Sequence, residues 1–282
     1  MDLRSVGPFV ISFCLLQAAG AQTAPLHVLA SNGMKAVVKE LQPQLEKAAD
    51  HPLAIDYGST TGLRQKIDAG TPFDAAILTS EAIGELVKAG KLTAATRTDF
   101  ARSGIGVAVR SGSPKPDVST PAAMKQMLRS AKSITYAGDG ASRSSIDSMI
   151  AHLGLTEEMR PKTILTTGSG AAMSSVADGK VAVVMTLMSE LLPIHGIEIA
   201  GPFPPELQSY VRFGAAANAQ AAQPGGAKAM IAFLKSPAAA PVYKAKGMER
   251  VRPEDDLPQP YRTVRDWASP PNGLPWAAVT GV

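Results

Sequence analysis

Four short stretches of this chain combine hydroxyl side chains with glycine just ahead of a helical period: Ser31-Asn32-Gly33, Gly58-Ser59-Thr60-Thr61-Gly62, Gly138-Asp139-Gly140-Ala141-Ser142 and Thr166-Thr167-Gly168-Ser169-Gly170. A helix start leaves backbone N–H groups unpaired and carries the positive end of the macrodipole, so hydroxyls placed there can enclose an anion with neutral donors. Ser, Thr and Asn are also the ordinary N-cap residues, so any one stretch reads equally well as a plain cap. The set of four is what points to a ligand-binding cleft. Arg143 stands beside Ser142, Ser144 and Ser145. Its guanidinium could grip a carboxylate through two parallel N–H bonds, or lie solvated on the first helical turn.

Arrangements that would carry catalysis are scarce. Gly140-Ala141-Ser142-Arg143-Ser144 lacks the closing glycine of a nucleophile elbow, and Gly168-Ser169-Gly170 has the wrong spacing. No phosphate-binding loop or dinucleotide fingerprint is present, so no cofactor is expected. His27, His51, His152 and His195 are scattered without ligand spacing, which argues against a metal site. Asp139 would serve as a general base only if buried in the cleft, and a turn aspartate is its plainer role. Binding without chemistry is therefore the expectation.

The net charge of +4 is spread over scattered Lys and Arg with few aromatics, which gives nucleic-acid binding no support. Residues 1–21 read as a cleaved secretory signal peptide: Arg4, an apolar run at 6–16, then Ala19-Gly20-Ala21. The rival, an uncleaved anchor, is disfavoured because that run falls short of the ~20 residues a spanning helix needs. The single cysteine, Cys14, lies inside this segment, so the exported chain would hold no disulfide and no thiol. Its stability must come from a packed core.

The elements that would carry the four stretches alternate. Strands are expected at 26–30, 54–57, 73–78 and 105–109, with helical spacing in Met34, Val37, Val38, Leu41 and Leu45, in Leu63 and Ile67, and in Ile83, Leu86 and Val87. Pro43 predicts a kink or an early end to the first helix. Residues 111–116 read as a surface loop. A second block follows: strands at 133–137, 163–165 and 181–185, with helices at 144–153 and 171–177. A strand at 210–215 and a helix at 227–234 could then return to the first block. Alternation of this kind implies parallel sheets with helices on both faces, and such sheets bind ligands at the carboxyl ends of their strands. From residue 252 onward Pro accumulates and the period fades, giving either a strap over the surface or a partly disordered tail.

The segments Val28-Leu29-Ala30-Ser31-Asn32 and 58–74, with Gly138-Asp139 and the ending Phe233-Leu234-Lys235-Ser236-Pro237-Ala238-Ala239 followed by Gly247, resemble bacterial periplasmic molybdate-binding proteins of ABC importers. The resemblance covers roughly residues 26–251 and implies an α/β, two-lobe type II periplasmic binding protein fold. Each lobe would be a mostly parallel sheet flanked by helices, joined by a two-strand hinge. Residues 26–106 and 210–251 would form one lobe, 107–209 the other, and 252–282 the Pro-rich tail. The implied function is capture of a small anion, a molybdate- or tungstate-like oxyanion, by a periplasmic monomer that delivers it to an ABC permease at the inner membrane. By that resemblance the first ligand-binding serine falls at Asn32 or, shifted by one, Ser31. The second falls at Thr60, with Ser59 and Thr61 beside it. The second-lobe contacts fall near Ser142 and Ser169, and the tyrosine of the family falls at Thr186. Asn32 and Thr186 depart from the pattern. The alternatives are a small organic carboxylate anchored by Arg143, and a secreted enzyme on the same scaffold.

Overall fold

The computed structural model describes residues 23–251; the expected signal segment with Cys14 and the Pro-rich tail lie outside the described residues. β1 (Leu26–Ser31) runs into a short 3-10 turn (Asn32–Met34) and then α1 (Lys35–Ala49). Val37, Val38, Leu41, Leu45 and Ala49 form the buried stripe of α1. Pro43 does not end this helix early. It sits on the exposed face, where the carbonyl of Lys39 that loses its N–H partner faces water.

β2 (Leu53–Gly58), α2 (Thr60–Asp68), β3 (Ala75–Thr79) and α3 (Ser80–Lys88) complete the first block. β1 pairs in parallel with β2 and β3, and its register sets Ser31 opposite Gly58, so the ends of two strands meet side by side. β4 (Thr98–Arg110) is longer than the strand expected at 105–109. The second block holds α4 (Pro121–Ser130), β5 (Ile134–Ala137), α5 (Arg143–His152), α6 (Thr156–Met159), β6 (Thr163–Thr166), α7 (Ser169–Ala177), β7 (Val183–Leu187), α8 (Met188–Leu191) and β8 (Ile197–Pro202). β9 (Tyr210–Ala217), α9 (Pro224–Lys235), α10 (Ala240–Ala245) and β10 (Met248–Arg250) close the described chain.

The strands lie in the order β2-β1-β3-β9-β4-β7-β5-β6, with β8 and β10 also bonded to β4. β4 belongs to both halves of this sheet. Its residues up to Gly104 pair with β9 and β10, whereas Ile105 to Arg110 pair with β7 and β8. The mostly parallel lobes expected from the sequence are not found: β1 with β2 and β3, and β5 with β6 and β7, are parallel, whereas every pairing through β4 and β9 is antiparallel, because these strands return the chain across the middle of the sheet. One apolar cluster joins α1, α9 and α10 to the sheet, with Met34, Leu41, Phe100, Phe213 and Tyr243 fully buried. A second packs α2 and α3 against the opposite face through Leu63, Ile67, Ile83 and Leu86. The sheet is therefore covered on both sides, as near-continuous apolar strands require.

Candidate functional site

Five of the expected site residues, Ser31, Thr60, Ser142, Ser169 and Thr186, are buried polar groups. Ser31 ends β1 at 3% exposure and Thr60 opens α2 at 8%. Their hydroxyls lie 3.4 Å apart. Ser142, just before α5, and Ser169, the first residue of α7, are buried in the second block, as is Thr186 in β7.

Two further hydroxyls have different surroundings. Ser59 caps its own helix, accepting from the Gly62 N–H at 3.1 Å, so the ordinary capping role applies there. Thr61 is exposed on the rim. Asp139 accepts from the Gly168 N–H at 2.7 Å and ties the 138–142 turn to the 166–170 turn, a structural task. Gly168 adopts φ 75° where the chain enters α7, a backbone state that L side chains rarely take.

Arg143 turns to its own helix. Its Nε donates to Asp147 one turn later, and the guanidinium lies 5.6 Å from the Tyr136 ring centroid. The Tyr136 hydroxyl donates to the other Asp147 oxygen at 2.6 Å. Burial, and then the adjoining Asp147 carboxylate, push the Tyr136 hydroxyl well above its usual range. Arg143 lines neither of the two cavities beside the buried hydroxyls.

Of the buried expected hydroxyls, Thr60 lines the larger of these cavities and Ser169 the smaller. The larger, about 490 Å³, lies between the starts of α2, α3 and α5 and the first residues of β9, and includes Thr60, Thr61, Thr79, Ser144, Tyr210 and Arg212. The smaller, about 390 Å³, has Asn32, Lys35 and Lys39 on one wall and Ser169, Ser189 and Glu190 on another.

Glu190 has no counterpart in the sequence expectation. One carboxylate oxygen accepts from Ser169 Oγ at 2.7 Å and the other from Thr186 Oγ1. Two of the expected ligand contacts are thus directed at a carboxylate of the protein itself. Burial raises the Glu190 carboxyl above the ordinary range, against the two hydroxyl bonds that favour its ionised form. A signal was available: Glu190 is the lone charged residue in the apolar run 181–194 and stands four residues beyond Thr186. Ser189, also absent from the expectation, donates its hydroxyl to the Gly33 carbonyl at 2.9 Å, and its N–H reaches Ser103 Oγ at 3.3 Å. It links α8 to the turn after β1. Among the described residues, no group of three or more His, Cys, Asp or Glu could hold a metal ion.

The family profile described as bacterial extracellular solute-binding protein matches residues 26–249. This chain belongs to that family. Among solute-binding relatives, the Azotobacter vinelandii molybdate-binding protein ModA is 25% identical over 236 residues, covering 82% of this chain and 92% of the relative. A second relative, from Pseudomonas sp, is 27% identical over 252 residues, covering 88% of this chain and 95% of its own length, and is named aconitate isomerase. The solved A. vinelandii periplasmic molybdate-binding protein superposes with a TM-score of 0.68 at 19% identity, covering 81% of this chain and 99% of that one. The solute-binding fold is therefore shared, whereas the two named relatives differ in what they handle.

Proposed function

We propose that this protein is the periplasmic binding component of an ABC importer, that it captures a small anion between two lobes, and that the anion is an organic carboxylate. The observation that carries the reading is the burial of hydroxyls at element ends in both halves of the sheet, Ser31 and Thr60 with hydroxyls 3.4 Å apart in one, and Ser142 and Ser169 in the other. Several short hydrogen bonds from neutral donors in a dry cleft stabilise an anion that keeps its charge near neutral pH. The reading of residues 1–21 and the description of the family as extracellular support export.

Two features favour a carboxylate over a molybdate-like dianion. Thr186 replaces the tyrosine expected from the resemblance and donates to Glu190, leaving an acidic group where a tight oxyanion cage would place a donor. Lys35 and Lys39 widen the site with cations suited to a ligand larger than a tetrahedral oxyanion. Arg143, held by Asp147, is not the anchor in this reading.

Glu190 also favours a second reading, an enzyme acting on a carboxylic acid, and the name of the Pseudomonas relative agrees with it. The test is thermal unfolding against molybdate, tungstate, sulfate, citrate, itaconate, glutaconate and aconitate, with proton NMR of each acid after incubation. A ligand at ~100 times its dissociation constant adds ~2.7 kcal/mol, a rise of several degrees for a domain of this size. A rise with carboxylates alone supports the reading; a rise with molybdate and tungstate alone overturns the ligand assignment. Conversion of an acid to a new species selects the enzyme.

A further inference from the structure

We propose that Glu190 is a catalytic acid–base residue for a di- or tricarboxylate seated in the cavity that it shares with Lys35 and Lys39. The inference rests on the carboxylate reading above and deepens its second, enzymatic form. Asn32, Lys35 and Lys39 come from the start of α1 and present an amide and two cations to one wall. Ammonium groups at two positions recognise a ligand with at least two carboxylates. Opposite them, an acidic side chain is unfavourable for merely holding an anion, since like charges repel.

Its surroundings fit a proton carrier. Ser169 and Thr186 donate to separate oxygens and fix the carboxylate plane. Lys35 and Lys39 from α1 line the same cavity, Lys35 Nζ also lying 5.6 Å from the Tyr57 ring centroid; hydroxyls from α7 and β7 bond the carboxylate, and on neighbouring Ser189 the N–H meets the Ser103 hydroxyl of β4 and the hydroxyl meets the Gly33 carbonyl. Burial strengthens its hold on a proton, which makes the ionised form a stronger base than an exposed glutamate.

The step balances without an oxidant or cofactor. Ionised Glu190 takes a proton from a ligand carbon next to a carboxylate or a carbon–carbon double bond. The C–H electron pair enters the adjoining π system, and Lys35 and Lys39 stabilise the resulting anion. Protonated Glu190 then returns the proton to the same carbon or to the other end of the π system.

The experiment is hydrogen–deuterium exchange. The full chain is incubated in deuterium oxide with each di- and tricarboxylate of the panel, and loss of carbon-bound proton signals is followed by NMR. For an acid that raises the unfolding temperature of the wild type, exchange is expected with wild type. It should slow at least about 100-fold in Glu190→Gln while thermal stabilisation by that acid persists. The wild-type rate should rise with pH through a value above the ordinary carboxyl range. Glu190→Asp, which withdraws the carboxyl by one methylene, provides a second variant with the charge retained and should also be slowed. An acid that binds wild type without exchange, or exchanges equally fast with either variant, overturns the proposal. Failure of every carboxylate to stabilise wild type is a separate result, which removes the carboxylate reading and this proposal with it.

Discussion

At Glu190 the protein sets a carboxyl in a low-dielectric site and offers it two hydroxyl donors, and burial wins, since the proton is held above the ordinary range. The consequence for stability has a definite sign. Between the unfolded and folded values the native state keeps a proton that the unfolded chain has lost, so this group's contribution falls as pH rises through that window. Glu190→Gln removes the titration. The variant should melt higher than wild type near pH 8, and the gap should close as pH falls toward about 4. Melting curves of both proteins across that range check this, and a variant that is less stable at the alkaline end contradicts it. Arg143 is the converse case, a charge whose type was legible and whose direction was not. Its ion pair with Asp147 is over a third exposed on each side chain, so Arg143→Ala should cost at most about 1 kcal/mol of stability. Titration calorimetry should find carboxylate affinity nearly unchanged; a tenfold loss would restore Arg143 as the anchor. Residue type thus announced the hydroxyls, because Ser and Thr before a helical period have few roles. It could not announce Glu190, whose meaning depends on what α8 faces.

The elements that carry these residues were readable where periodicity was clean. β1, β2, β5 and β6 stand within a residue or so of expectation because short apolar and β-branched runs define them. The first half of β4 was hidden by Thr98, Asp99, Arg102 and Ser103, polar residues tolerated there because β9 and β10 satisfy the backbone on either side. α4 and β8 were also missed, the first Ala/Met-rich, the second ending on Gly201-Pro202. The 3-10 turn after β1 shows how tightly an element end is held. A Cβ added at Gly33 would stand 2.5 Å from Phe213 Cζ and 2.9 Å from Leu187 Cδ1, one neighbour from each half of the sheet. Gly33→Ala must therefore push the turn outward or displace two buried side chains, a loss of about 1–3 kcal/mol. Because Ser31 and Asn32 precede it directly, anion affinity should fall with stability. Urea denaturation and calorimetry on one preparation would check both, and a variant as stable as wild type would mean that Phe213 and Leu187 yield freely.

For the molecule as a whole, capture depends on how the two halves of the sheet meet. β4 runs through both, and if they are the two lobes that the resemblance implies, they would close about β4 and its neighbours. Against that freedom stands the Ser189 hydroxyl on the Gly33 carbonyl, a buried contact between α8 and the turn after β1 that involves no ligand atom. If ligand shifts a population from open to closed, any contact made only when closed adds to apparent affinity. Ser189→Ala removes a hydrogen bond worth about 1 kcal/mol, which should weaken binding roughly fivefold. The same change should enlarge the radius of gyration of the unliganded protein in small-angle scattering, and saturating ligand should restore it. Weaker binding with no change in radius would instead place the Ser189 hydroxyl on the ligand. Unchanged affinity and unchanged radius together would mean that the halves are rigidly joined, and that the buried hydroxyls are preformed.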